Sequence, residues 1–224
     1  MGGETPKTLL PVGERGPLLQ YLLEGLSKAP IDDLLVVTGH RAEEVEAFVS
    51  ETWEGDATFV RNSRYASWGN FHSVRVALDQ SPGMDVMIVN CDVVVHPDVF
   101  RRVAESPGKL VLSVQRRQDL DQEDMRVQIE RDKVLAIGKD LKKSSSHGEY
   151  TGVSLLRPAA HRLYSDICSK LEWQALTKLY YEDVYAMMLG RVDARSVPVA
   201  AGEYAEVDTP EDVAAAGDII ERHF

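Results

Sequence analysis

The feature that most constrains this chain is its alternation of strand-length apolar runs with stretches of helical period. Residues 33–38 read as a buried strand with Leu-Leu-Val-Val at its middle, and residues 85–90 as a second, largely apolar strand. Around them lie helical segments. One begins at Pro17 and carries Leu18, Leu19, Leu22, Leu23 and Leu26 on one face; two more cover residues 42–48 and 70–78. A short strand covers residues 57–61. Continuous apolar strands separated by helices indicate a mixed, mostly parallel sheet covered on both faces, an α/β fold.

The second half changes character. Residues 109–114 predict a strand, residues 126–138 a hairpin turning near Arg131-Asp132-Lys133, and residues 150–156 a further strand. Helices follow at 161–171 and 183–189, then a strand at 195–199. The last helix is predicted to start at Pro210 with Thr209 as its N-cap. Lys142-Lys143-Ser144-Ser145-Ser146 reads as a mobile loop. No linker divides the 224 residues, so a single domain is expected.

Charge and composition remove several classes of function. With a net charge of −11, the chain has a deficit of the Lys and Arg that a nucleic-acid backbone requires. A small anionic substrate needs only a few placed cations and backbone N–H groups, so it stays open. No apolar run approaches the roughly 20 residues that span a bilayer, and the N-terminus lacks the basic flank and apolar stretch of a signal peptide. The two cysteines, Cys91 and Cys168, are far apart, and no histidine stands at zinc-ligand spacing. A reducing, cytoplasmic setting is expected.

Four positions carry candidate chemistry. Asp92 follows the second apolar strand, at the carboxyl end where open α/β sheets bind ligands; it reads equally as a turn aspartate. Asp208 precedes the last helix, where acids also suit the helix dipole. Together they would supply the one or two carboxylates that a magnesium ion takes. Lys7 lies between Pro6 and Pro11 in a constrained loop, and Lys139 ends a hairpin strand after Gly138.

Several segments together resemble the sugar-phosphate nucleotidyltransferase family, and most closely its cytidylyltransferase branch. They are Pro6-Lys7-Thr8-Leu9-Leu10-Pro11-Val12, Val36-Val37-Thr38-Gly39-His40, Asn62 through Tyr65 to Asn70 and Ser73, and Asn90-Cys91-Asp92. Four more follow in order: Glu123-Asp124-Met125-Arg126-Val127, Gly138-Lys139-Asp140-Leu141, Gly148-Glu149-Tyr150-Thr151-Gly152 and Tyr181-Glu182-Asp183. Val207-Asp208-Thr209-Pro210-Glu211-Asp212 closes the set, which runs nearly the length of the chain. Gly69 stands where the branch has the first asparagine of a pair, and Cys91 where the metal-binding motif has glycine.

The resemblance implies a Rossmann-like, GT-A-type three-layer sandwich. It implies magnesium on Asp92 and Asp208, Lys7 on the phosphates, and Gly39, Asn70, Ser73 and Asn90 on the nucleotide. Lys139 and Glu149 would line the acceptor side. The family also opens with a central strand and a Gly-rich loop, of which Met1-Gly2-Gly3-Glu4-Thr5 resembles only the tail. The expectation is therefore a nucleotidyltransferase domain lacking that strand and loop, from a start placed inside the real protein or from an inactive truncation.

The expected reaction transfers a nucleoside monophosphate, CMP from CTP, to a phosphorylated or phosphonate small molecule and releases pyrophosphate. The rival readings are an inactive binding domain, or the same chemistry with UTP, GTP or another triphosphate and a sugar phosphate acceptor. The cluster Trp173, Tyr180, Tyr181, Glu182 and Asp183 suits an ammonium group on the acceptor through cation–π and charge attraction; it reads equally as helix packing and first-turn acids. Partners expected are the nucleotide and the acceptor, without nucleic acid or membrane; a possible homodimer is reported by no residue.

Overall fold

The computed structural model describes residues 5–12, 16–172, 177–209 and 212–224. After a 3₁₀ turn at Lys7–Leu9 come β1 (Pro11–Val12), β2 (Gly16–Pro17), α1 (Leu18–Ser27), β3 (Leu34–Thr38), α2 (Ala42–Thr52) and β4 (Ala57–Arg61). Then follow α3 (Phe71–Gln80), β5 (Val86–Val89), β6 (Val93–Val95), α4 (Pro97–Glu105) and β7 (Leu110–Gln115). The hairpin β8 (Arg126–Glu130) and β9 (Lys133–Gly138) leads to β10 (Gly148–Leu156) and α5 (Pro158–Ser169). The chain closes with α6 (Tyr181–Met188), β11 (Ala194–Val199), β12 (Tyr204–Glu206) and α7 (Asp212–His223).

The main sheet has the order β5-β10-β7-β11-β9-β8. β7 and β11 pair in parallel, but β10 runs antiparallel to β5, β7 and β8, and β9 antiparallel to β8 and β11. The sheet is mixed as expected, yet its pairings are mostly antiparallel, which corrects the sequence reading. The error has a physical cause: every residue of β10 is buried, Glu149, Thr151 and Ser154 included, so it has no solvent-exposed face to mark it as an antiparallel strand.

Helices cover both faces. Leu110, Leu112 and Val114 pack with Phe71, Val74, Tyr164, Ile167, Val184, Tyr185 and Met188 from α3, α5 and α6. Val111 points oppositely, toward Leu19, Leu22, Val49, Phe100 and Val103 from α1, α2 and α4. This is the two-residue alternation of a strand placed between two helical layers. α4 and α5 each begin on a proline, where a missing N–H costs nothing. Pro17 instead closes β2 and precedes α1.

Two features lie beside the main sheet. β3 and β4 form a parallel pair of their own. Among the described residues β3 bonds only to β4 and β5 only to β10, so each keeps one unpaired edge. Leu34, Val36, Met87 and Val89 from these strands nevertheless pack against the same core cluster. A small ladder joins β6 to β12 antiparallel, with Glu206 opposite Val93. The segment 142–146, expected as a mobile loop, forms a 3₁₀ turn whose Ser145 hydroxyl accepts from the Gln128 side-chain amide at 2.9 Å.

Candidate active site

The β6–β12 ladder assembles the site. Asp92 precedes β6, Asp208 follows β12 by two residues, and the Val207 N–H donates to the Asp92 carbonyl at 2.8 Å. Pairing the strands therefore places two carboxylates that are 116 residues apart in the chain on one spot. The turn holding Asp208 is fixed by Asp212, whose carboxylate accepts from the backbone N–H groups of Asp208 (3.0 Å) and Thr209 (2.7 Å) and from the Thr209 hydroxyl. Thr209 thus donates to Asp212. The expected helix start at Pro210 lies outside the described residues.

Lys7 is delivered by the 3₁₀ turn, in which Leu10 N–H closes on the Lys7 carbonyl at 3.0 Å. Its ammonium donates to Asp208 Oδ1 and lies 3.7 Å from Asp92 Oδ2. A third carboxylate joins them: Asp92, Glu206 and Asp208 each offer an oxygen within 4.8 Å of the others. Glu206 ends β12 and Asp208 lies in the bend two residues on, so both carboxylates reach the same spot. That spacing is visible in the sequence, but Glu206 was not among the expected site residues.

Three carboxylates around one ammonium leave negative charge in excess. The Asp92 carboxyl is held above the usual range first by desolvation and further by Asp208, although Lys7 opposes this. Glu206 is pushed up to about 7 by desolvation, then by Asp92, Asp208 and Glu149. Burial works to lower Lys7, but its hydrogen bond to Asp208 and the charges of Asp92, Asp208 and Glu206 outweigh that and raise it. Asp92 Oδ1 is buried with no hydrogen-bond partner among the described residues. Hard oxygen donors at this spacing, one of them buried and unused, fit a divalent cation of the magnesium or calcium type.

A second polar cluster adjoins the first. Glu149 accepts from Arg117 Nε (3.0 Å) and Nη2 (2.8 Å), and Arg117 also donates to Asp124 at 2.8 Å. The Tyr204 hydroxyl sits 3.5 Å from Glu149 and 3.4 Å from Glu206, bridging the two clusters. Neither Arg117 nor Tyr204 was singled out from sequence, because only the β10–β7 and β6–β12 pairings bring them beside the matched residues. Lys139 pairs with Glu123 at 3.0 Å, stands 5.1 Å over the Tyr180 ring, and feels the charge of Glu206.

The remaining expected residues separate into two groups. Asn70 and Asn90 come together on Tyr181, whose N–H donates to Asn70 Oδ1 (3.0 Å) and whose hydroxyl donates to Asn90 Oδ1 (2.7 Å). Ser73 is engaged by Asn62, whose side-chain amide donates to its hydroxyl at 3.0 Å, and Gly39 lies against the Tyr65 ring. Both brace the loop after β4.

The expected ammonium site is corrected in part. Tyr181 and Glu182 are only 3% and 5% exposed, so they stand inside the core, and Asp183 caps α6 by accepting the Tyr180 N–H at 2.8 Å. Burial favours the other of the two readings, in which these aromatic and acid side chains pack a helix start. Trp173 lies outside the described residues. Gly69 also finds its reason, since a Cβ there would overlap the Leu179 carbonyl leading into α6; an asparagine would not fit.

Comparison with known proteins bears on the family and the fold. Residues 1–165 match the family model of the MobA-like NTP transferase domain. The chain is 32% identical over 115 residues to the CMP-5'-(3-aminopropyl)phosphonate synthase of Streptomyces rubellomurinus, covering 50% of this chain and 18% of that protein. It is 26% identical over 101 residues to the choline-phosphate cytidylyltransferase of Streptococcus pneumoniae, covering 45% of this chain and 42% of that one. The chain thus matches less than half the length of these curated relatives. Among solved structures, the inositol-1-phosphate CTP transferase from T. maritima superposes with a TM-score of 0.81 at 17% identity, over 98% of this chain and 89% of that one. The CTP:phosphocholine cytidylyltransferase from Streptococcus pneumoniae gives 0.78 at 22%, over 96% and 90%. These two likenesses are of fold.

Proposed function

The chain belongs to the MobA-like NTP transferase domain family, and from that premise we propose that it transfers CMP from CTP to a phosphorylated or phosphonate small molecule, releasing pyrophosphate. The observation that carries this is the Lys7 ammonium set among Asp92, Glu206 and Asp208 at the carboxyl end of β5. An acceptor phosphate or phosphonate oxygen forms a bond to the α-phosphorus while the bond from that phosphorus to the pyrophosphate oxygen breaks. The nucleophile is already an anion at neutral pH, so the site needs alignment and positive charge more than a general base. Lys7 supplies one such charge on the phosphates. Asp92 and Asp208, with Glu206 beside them, would hold magnesium, which supplies further charge neutralisation when bound.

For the acceptor, the reading favours an ammonium-bearing molecule such as an aminoalkylphosphonate or phosphocholine. Glu206, which the Tyr204 hydroxyl joins to Glu149, puts negative charge near Lys139 and the exposed Tyr180 ring. The two curated relatives are named for acceptors of this kind. Pyrophosphate release measured with CTP, UTP, GTP and ATP against 3-aminopropylphosphonate, phosphocholine, inositol phosphate and a sugar phosphate tests both halves. Turnover is expected with CTP and a cationic acceptor; equal rates with inositol phosphate would sink the acceptor assignment, and absence of turnover with every pair would sink the reaction.

A second reading, a nucleotide-binding domain without turnover of its own, is favoured by the unpaired edges of β3 and β5. Apolar strands with bare N–H and C=O groups on either side of one core suit a further extended strand between them. On this reading pyrophosphate release appears only when a chain carrying such an apolar strand ahead of Lys7 is assayed. The GT-A-type classification, the reducing cytoplasm and a homodimer remain part of the same proposal. Its cellular part is supported by two free cysteines and by the absence of any described helix long and apolar enough to cross a membrane.

A further inference from the structure

Tyr181 is nearly inaccessible, yet it touches two side chains that come from different elements and face outward. Asn70 precedes α3 and is exposed; Asn90 follows β5 and is half-buried. The Tyr181 backbone N–H can only donate, so the Asn70 atom 3.0 Å from it is the amide oxygen. At the other end of the residue, the Tyr181 hydroxyl has one hydrogen; Asn90 Oδ1 lies at 2.7 Å and the Tyr150 hydroxyl at 3.1 Å, with the Glu182 carboxyl also near it. The amide oxygen can only accept. Tyr181 therefore gives its hydrogen to Asn90 and accepts from Tyr150.

Both asparagines are thus held by their oxygens, and the NH₂ group of each points away from Tyr181. Neither Nδ2 has a hydrogen-bond partner among the described residues, and Asn90 Nδ2 lies over Gly152, where a Cβ would come within 3.1 Å of it. The backbone is fixed to match: Asn90 N–H donates to the Gly152 carbonyl at 2.9 Å, and Gly69 lets the Leu179 segment approach closely enough to bring Tyr181 N–H onto Asn70.

We propose that Tyr181 is a positioning residue that sets the amides of Asn70 and Asn90 donor-outward, so that this side of the site presents two NH₂ groups to ligand oxygens. Without its hydroxyl the Asn90 amide can turn and offer an acceptor, which repels a triphosphate, ribose or base carbonyl oxygen, while the Asn70 amide depends on where the backbone N–H of residue 181 is placed. The proposal rests on the reading of Asn70 and Asn90 as nucleotide contacts and goes beyond it by assigning their orientation to a residue that never meets the ligand.

Calorimetric binding of CTP in magnesium buffer tests it on wild type, Asn70→Ala, Asn90→Ala, Tyr181→Phe and Tyr150→Phe. Loss of one orienting hydrogen bond is expected to weaken CTP by about tenfold in Tyr181→Phe, close to the effect of Asn90→Ala. Tyr150→Phe should stay within about twofold, because it leaves the bond from Tyr181 to Asn90 in place. If Asn90→Ala weakens binding but Tyr181→Phe does not, or if Tyr150→Phe weakens it equally, the positioning role is overturned. If both asparagine variants bind as wild type does, the nucleotide-side reading falls and takes the proposal with it. Wild-type protein gives a test independent of folding in the variants: the side-chain NH₂ resonances of Asn70 and Asn90 should both move on adding CTP, and two unmoved pairs overturn the assignment.

Discussion

The Lys7 ammonium stands 3.7 Å from Asp92 while donating to Asp208, so one cation spans two carboxylates that the β6–β12 ladder has brought together. It balances only part of the charge, since Glu206 adds a third carboxylate at the same spot. That imbalance makes the cluster a place for cations and for phosphates that arrive with them.

The first prediction concerns Asp92. Asp92→Asn keeps the shape of the side chain and removes a charge held in a desolvated position. Pyrophosphate release is expected to fall by at least about 10²-fold, the scale of losing one charge-stabilising group. The melting temperature should be unchanged or slightly higher. Normal turnover in this variant would refute the cation-site assignment.

Glu182 gives a pH dependence. Desolvation pushes its carboxyl up to about 7, and its Oε2 is buried with no hydrogen-bond partner. A carboxyl raised on folding is favoured protonated in the native state, so its contribution is full below the ordinary glutamate range and is lost as pH rises through about 7. Melting temperature should fall between about pH 5 and pH 8 by this mechanism. Glu182→Gln should flatten that slope and melt higher than wild type at pH 8; a slope equal to wild type would place the titration elsewhere.

Arg117 tests the cluster behind the site. It is the shared cation of Glu149 and Asp124, whose side chains are 8% and 9% exposed. Arg117→Met leaves two buried carboxylates without it and should destabilise the protein by about 3 kcal/mol in urea unfolding. Adding Glu149→Gln should recover part of the loss. Additive loss in the double variant would show that the two groups do not share their energy.

Gly69 tests a packing contact. A Cβ at this position would overlap the Leu179 carbonyl, which is backbone and cannot swing aside. Gly69→Ala is expected to cost roughly 1–3 kcal/mol with an unchanged denaturant slope, and to weaken CTP binding by displacing Tyr181 from Asn70. A neutral result on both measurements would show that the Leu179 segment moves freely.

Element types were largely legible along the chain because periodicity is local. The run at 57–61 predicts β4 to the residue, and the leucines after Pro17 predict the buried face of α1. Strand direction was not legible, because β10 is buried on both faces and a strand without a solvent-exposed face reads the same whichever way it runs. The short strands β6 and β12 also escaped notice. At three residues each they have no period to detect, and only their mutual pairing defines them.

The site divides along the same line. The sequence by itself determined which residues could carry charge there, Lys7, Asp92 and Asp208, because residue type and position beside a strand or helix end are local properties; the asparagines at 70 and 90 entered only through the family resemblance. Tertiary structure alone decided that Glu206 completes the carboxylate group, that Tyr204 joins it to Glu149, and that Tyr181 turns inward to hold two amides. These are contacts between segments tens to more than a hundred residues apart. Their existence depends on which strands pair and which faces are buried, and that is settled by packing the whole chain at once.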